Sequence, residues 1–124
     1  MVRVECRLTK GLPRTVIIGL PDAAVREGRE RVRAAVKLVA GDLLVGRQVL
    51  VNLSPASRRK AGASFDLAIA VALLAAAGRL PEGAAAKTVL LGELGLDGRV
   101  RPVTGTLPAA LATQRRGFDN LIVP

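Results

Sequence analysis

Alternation opens the chain. Val2, Val4, Cys6 and Leu8 fall on one face of an extended segment, with Arg3, Glu5 and Arg7 on the other, the period of a half-buried strand. Gly11-Leu12-Pro13 interrupts it, and Thr15 to Ile18 reads as a second strand. Gly19-Leu20-Pro21-Asp22 then opens a helix that runs to about Gly41, with Pro21 suited to its first turn and Asp22 to its N-terminal dipole. Val25, Val32, Val36 and Val39 supply its predicted apolar stripe. Gln48 to Leu53 is a third strand, ended by Ser54-Pro55. A basic loop, ASRRKAGAS, leads to an apolar segment from Leu67 to Ala77 that lacks a polar face and is expected to be a buried helix. Thr88 to Leu94 and Arg99 to Val103 read as strands around Asp97-Gly98, a strong hairpin signal. A helix from about Leu107 to Arg116 and a strand at Leu121 to Val123 complete a ββαβαββαβ order, an α/β chain with a mixed sheet. No internal repeat or linker interrupts the 124 residues, so a single domain spanning 1–124 is expected.

Composition narrows the chemistry. The chain has no His, which removes His-based general bases, His–metal sites and the Ser-His-Asp triad. Its one cysteine, Cys6, forms neither an internal disulfide nor a zinc cluster and reads as a small core residue. Without Trp or Tyr, and with only Phe65 and Phe118, there is little material for a base-stacking platform. No metal or cofactor site is expected in these residues. The opening segment has no signal-peptide core, and the longest apolar run is about half the ~20 residues a membrane span needs. A cytoplasmic protein without membrane contact is the expectation.

Charge points to a polyanion or an acidic protein surface. Nineteen basic residues against ten acidic give a formal net charge of +9. Arg26, Arg29, Arg33 and Lys37 recur on one stripe of the first helix, where Glu30 is placed to pair with Arg26 or Arg33, and Glu27 with Arg31. Arg58, Arg59 and Lys60 form a second cluster in a loop without acids, and Arg115-Arg116 a third. These are the candidate nucleic-acid-binding residues: cations that track phosphate without reading sequence. The same side chains suit acidic patches on a neighbouring subunit, or a solvated helix face.

Four words of the sequence, GLPRTVIIGLPDAAVREGRERVRAAVK, VNLSPASRRKAGASFDLAIAVALLAAAG, LLGELGLDGRVRPVTGTLPAALA and the closing LIVP, resemble the N-terminal domain of magnesium-chelatase-like AAA+ ATPases of the ComM/YifB type. The resemblance covers nearly the whole chain. It implies a Lon-protease C-terminal-domain-like, or ribosomal-protein-like, two-layer α/β fold. It also implies that the chain is part of a longer protein whose ATPase motor, with its ATP and Mg²⁺, follows Pro124, and that the parent acts in DNA processing such as branch migration and competence. Expected partners are that motor domain, neighbouring subunits and DNA. No Gly is followed by Lys anywhere, so the phosphate-binding loop of such a motor is not in these residues.

Lon-type peptidases pair a Ser at a helix start with a Lys base. Ser64, in KAGAS, occupies the nucleophile position by resemblance, and Leu107, in Gly105-Thr106-Leu107, stands where the base Lys is expected. The plain reading is that Ser64 is a helix-capping or first-turn hydroxyl alongside Asp66, leaving no catalytic residue. Glu93, a single carboxylate, is expected to pair with an arginine. Three functions therefore stand: an accessory module for ring assembly or DNA guidance, a residual Ser peptidase, and a purely structural oligomerisation domain.

Overall fold

A computed structural model describes residues 1–124. Strands β1 (Arg3–Lys10), β2 (Arg14–Ile18) and β3 (Arg47–Ser54) form one sheet in the order β1-β3-β2. β1 runs antiparallel to β3, from Arg3 opposite Ser54 to Lys10 opposite Arg47, and β2 runs parallel to β3. The central strand shows why the order holds. Val49, Val51 and Leu53 are fully buried on one face, while Leu50 on the other is partly exposed. Each such burial contributes about 1.5–3 kcal/mol.

Helices α1 (Ala23–Ala40) and α2 (Asp66–Ala76) pack with that buried face, Val25, Val32 and Val36 meeting Ile69 and Leu73 in one core. Asp22 is the N-cap of α1 and accepts from the Val25 amide at 2.8 Å; Pro21 precedes the cap rather than entering the first turn. The expected valine stripe holds through Val36, but Val39 is 73% exposed. It lies near the same angular face, but beyond Val36 only Ala40 of the helix packs against the core. Gly28 and Ala35, small residues absent from the predicted stripe, are buried instead. A short 3-10 turn, Gly41–Leu44, follows α1. In α2 the expected burial is partial: Asp66, Ile69, Ala70 and Leu73 are buried, and Ala75 and Ala76 at its end are exposed.

The predicted strand Thr88 to Leu94 is split. β4 (Thr88–Leu90) pairs in parallel with β7 (Asn120–Ile122), and β5 (Glu93–Leu94) pairs antiparallel with β6 (Val100–Arg101). The break falls at Gly92, whose amide donates to Ser64 O and whose carbonyl accepts from the Leu67 amide, both at 3.1 Å. The start of α2 thus takes the hydrogen bonds a continuous strand would have used. The Asp97-Gly98 turn forms as predicted, with Gly95 N–H on Arg99 O at 2.8 Å. The Arg99 amide also holds the Asp97 carboxyl below its ordinary range. Helix α3 (Thr106–Arg115) buries only Thr113. The architecture is mixed α/β, three helices with three small sheets, and no helix is long and apolar enough to cross a membrane.

Cys6 lies on β1 against the core, and burial pushes its thiol up to about 11. Alkylation at pH 7 should therefore be slow in the folded chain and fast after unfolding in denaturant. The folded value lies above the ordinary 9.0, so the associated stability is complete below that pH and lost as pH rises through about 11. Rapid alkylation of the folded chain at pH 7 would contradict this environment.

Candidate nucleic-acid interface and the Ser64 cleft

Two of the sequence words dock on each other. The Gly19-Leu20-Pro21-Asp22 turn leaves β2, and the loop from Pro55 to Ser64 leaves β3, the strand beside it. Lys60 N–H donates to Leu20 O at 3.0 Å and Asp22 N–H to Lys60 O at 2.9 Å, a parallel bridge between Pro21 and Lys60. Asp22, already capping α1, also accepts from the Gly62 amide at 3.4 Å. Gly19 is required where it stands: a Cβ there would overlap the carbonyl of Leu53 in β3, and its φ is +103°. Leu20 follows with a φ of +58° and is 53% exposed. For a branched side chain that left-handed conformation costs about 1–2 kcal/mol, held in place by the bonds on either side.

Lys60 corrects the sequence expectation most sharply. It was expected as an exposed cation of the loop but is 2% exposed, with Nζ donating to the Pro55 carbonyl. It closes the loop on itself from within, so its charge is unavailable to a phosphate chain. Arg58 and Arg59, just before it, remain exposed. Neither they nor Arg26 joins an ion pair; the three pairs are Arg31–Asp66, Arg99–Asp97 and Arg101–Asp97.

The predicted stripe of α1 is likewise divided. Arg26 donates to Pro21 O at 2.8 Å and Arg29 to Arg26 O at 2.9 Å, which keeps both beside the turn. Arg33 is half-buried and reaches Thr15 Oγ1 at 3.1 Å, bracing the helix against β2. Arg33 and Lys37 line a recess of about 490 Å³ together with Glu30 and Asp42, so carboxylates share their surroundings. The anticipated Glu27–Arg31 pair does not form.

Arg31 turns instead to Asp66, with Nε to Oδ2 at 2.6 Å and Nη2 to Oδ1 at 3.2 Å. Asp66 is 1% exposed, and its Oδ2 also accepts from the Leu94 amide at 3.0 Å. The carboxylate therefore joins α1, α2 and β5. The side-chain hydrogen bond to Asp66 raises the Arg31 pKa further above its ordinary value. Gly28 makes room for the pair, since a Cβ there would overlap Asp66 Oδ1. Asp66 stands in the first turn of α2, but neither it nor Ser64 caps the helix: the N-cap is Phe65 and no side chain caps it. Nor does Glu93 find an ion-pair partner; its charge only adds to the field at Arg31.

Ser64 instead lines a cleft of about 850 Å³ between β1, β4, α2 and α3, with Val4, Phe65, Leu90 and Ala112 among its walls. Lys87 lies on the same lining with a φ of +54°. Leu107 on α3 is 70% exposed and has no atom that accepts a proton. A hydroxyl in a largely apolar recess is what this arrangement offers.

Residues 4–124 match the family described as ChlI, subunit ChlI of Mg-chelatase. The chain is 48% identical over its whole length to an uncharacterized protein of Mycobacterium tuberculosis. It is 38% identical over 98% of its length to the uncharacterized protein YifB of Escherichia coli, and 37% identical over 98% of its length to the competence protein ComM of Haemophilus influenzae. It spans 24% of the length of each of these relatives. The chain thus belongs to the Mg-chelatase subunit ChlI family, as a domain of the kind found in ComM and YifB.

Proposed function

We propose that this chain is a non-catalytic, Lon-like accessory domain of a ComM-type Mg-chelatase-like AAA+ ATPase. It guides DNA and supports ring assembly while a separate motor domain binds ATP and Mg²⁺. The observation that carries the reading is the cationic surface around the turn at the head of α1: Arg26 donates to the Pro21 carbonyl, Arg58 and Arg59 are exposed in the loop that docks on that turn through Lys60, and none of the three is paired with a carboxylate. Unpaired guanidinium groups on a chain of formal charge +9 favour a phosphate backbone over a solvated, self-neutralised face. Leu107 at the base position supports the non-catalytic part of the reading, because an aliphatic side chain there takes no proton from the Ser64 hydroxyl. The relative named as a competence protein is consistent with work on DNA by the whole protein.

The test is binding of duplex, forked and single-stranded DNA across a salt series. Changing Arg58 and Arg59 together to Ala should lower affinity for all three forms and reduce the log–log salt slope by about 2, roughly one per lost phosphate contact. Lys60→Ala serves as a contrast: its effect should appear in stability, because the ammonium is buried. Unchanged binding by the double arginine variant would remove the loop from the interface. Acidic protein surfaces then become the partner to seek.

A further inference from the structure

Leu20 is an exposed apolar residue whose backbone is fixed by contacts on both sides. It is apolar, more than half exposed and held at positive φ, although Asn or Gly would take that conformation at less cost. The surrounding structure over-determines it. Gly19 before it is wedged against the Leu53 carbonyl, its own carbonyl receives the Lys60 amide at 3.0 Å, and Lys60 is fixed by its buried Nζ on Pro55 O. Asp22 two residues later is locked as the α1 cap. The side chain thus stands on a rigid turn rather than a mobile tip. The Lys60 peptide that holds it follows Arg58 and Arg59 in the loop, and Arg26 donates to the carbonyl of Pro21, the next residue of the turn.

We propose that Leu20 is a base-step wedge: with Arg26, Arg58 and Arg59 on the flanking phosphates, it inserts between bases at a duplex junction and unstacks them. This rests on the DNA reading above and adds an activity to it. Aliphatic wedges flanked by cations are a recurrent means of parting base steps, and they work only if the apolar group cannot fold away. The strained, doubly anchored turn supplies that rigidity. The composition agrees with the choice. Both Phe65 and Phe118 line the Ser64 cleft, so no exposed aromatic platform stands beside these arginines, and an aliphatic side chain is the apolar group available to meet a base.

The experiment uses the 124-residue chain and a forked DNA carrying 2-aminopurine in the first base pair of the duplex arm, at low salt. Binding of the unaltered chain should raise 2-aminopurine emission several-fold as the base leaves the stack. Leu20→Asn should abolish most of that rise while leaving the affinity within about twofold, because the arginines still hold the backbone. Asn suits the left-handed conformation, so this variant should fold at least as well, and a thermal melt checks that it does. Leu20→Met, which keeps an apolar side chain, should retain the signal. If the unaltered chain binds without a rise in emission, or Leu20→Asn gives the full rise, the wedge is wrong and backbone guidance stands. If no DNA binds at all, both proposals fall together.

Discussion

Replacing Asp66 by Ala should destabilise the chain by about 3–5 kcal/mol, the cost of breaking a buried ion pair by removing one partner. Two groups are orphaned at once. Arg31 keeps a partly buried positive charge, and the Leu94 amide loses its only acceptor at the carboxylate. Arg31→Ala should cost a similar amount, since it strands a carboxylate that is 1% exposed. The double change Arg31→Met with Asp66→Leu should recover much of the loss, because desolvation of the two charges offsets most of their attraction. What remains is the unsatisfied amide, about 1–3 kcal/mol. Urea denaturation of the three variants measures these losses and the recovery. A loss below about 1 kcal/mol for Asp66→Ala would mean that the pair contributes no more than a surface salt bridge.

Gly19→Ala should cost about 3 kcal/mol or more, from a disfavoured backbone angle and an overlap with main-chain atoms that cannot rotate away. The new methyl would meet the Leu53 carbonyl in the central strand of the sheet. Gly105→Ala provides the control. Its backbone is left-handed, with φ +88° and ψ +13°, and nothing lies within 4 Å, so only the conformational cost of about 1–2 kcal/mol applies. A difference between the two variants in urea midpoint isolates the steric part. Because Gly19 sets the departure of the turn from β2, its replacement should also weaken the DNA binding proposed above. Equal destabilisation by the two substitutions would show that the sheet yields to the methyl.

Local pattern made most elements legible. The alternation in β1, the apolar β3, the extents of α1 and α2 and the Asp97-Gly98 turn all follow from periodicity and turn chemistry that act over a few residues. What escaped depends on distant partners. Asp66 finds Arg31 across 35 positions of sequence, while the nearer Glu27 loses that arginine to a partner offering two oxygens at once. One signal was present: a carboxylate leading into an eleven-residue apolar run must be paired if the helix is buried. Lys60 is harder. Nothing adjacent distinguishes it from Arg58 and Arg59, and only the return of the loop onto the Leu20 turn brings it inside. Among the candidate interface residues, Arg58 and Arg59 are exposed, Arg26 lacks the pairing with Glu30 that its spacing offers, and Lys60 is buried. Arg33 and Lys37 belong instead to a recess they share with acids.

The division into three small sheets gives the molecule unequal halves. Nearly all the enclosed hydrophobic side chains come from residues before 80, whereas α3 and β7 contribute a single threonine to the interior. Fraying at the C-terminal end would leave the arginine-bearing turn in place, so grip on a ligand and integrity of the tail are separately adjustable.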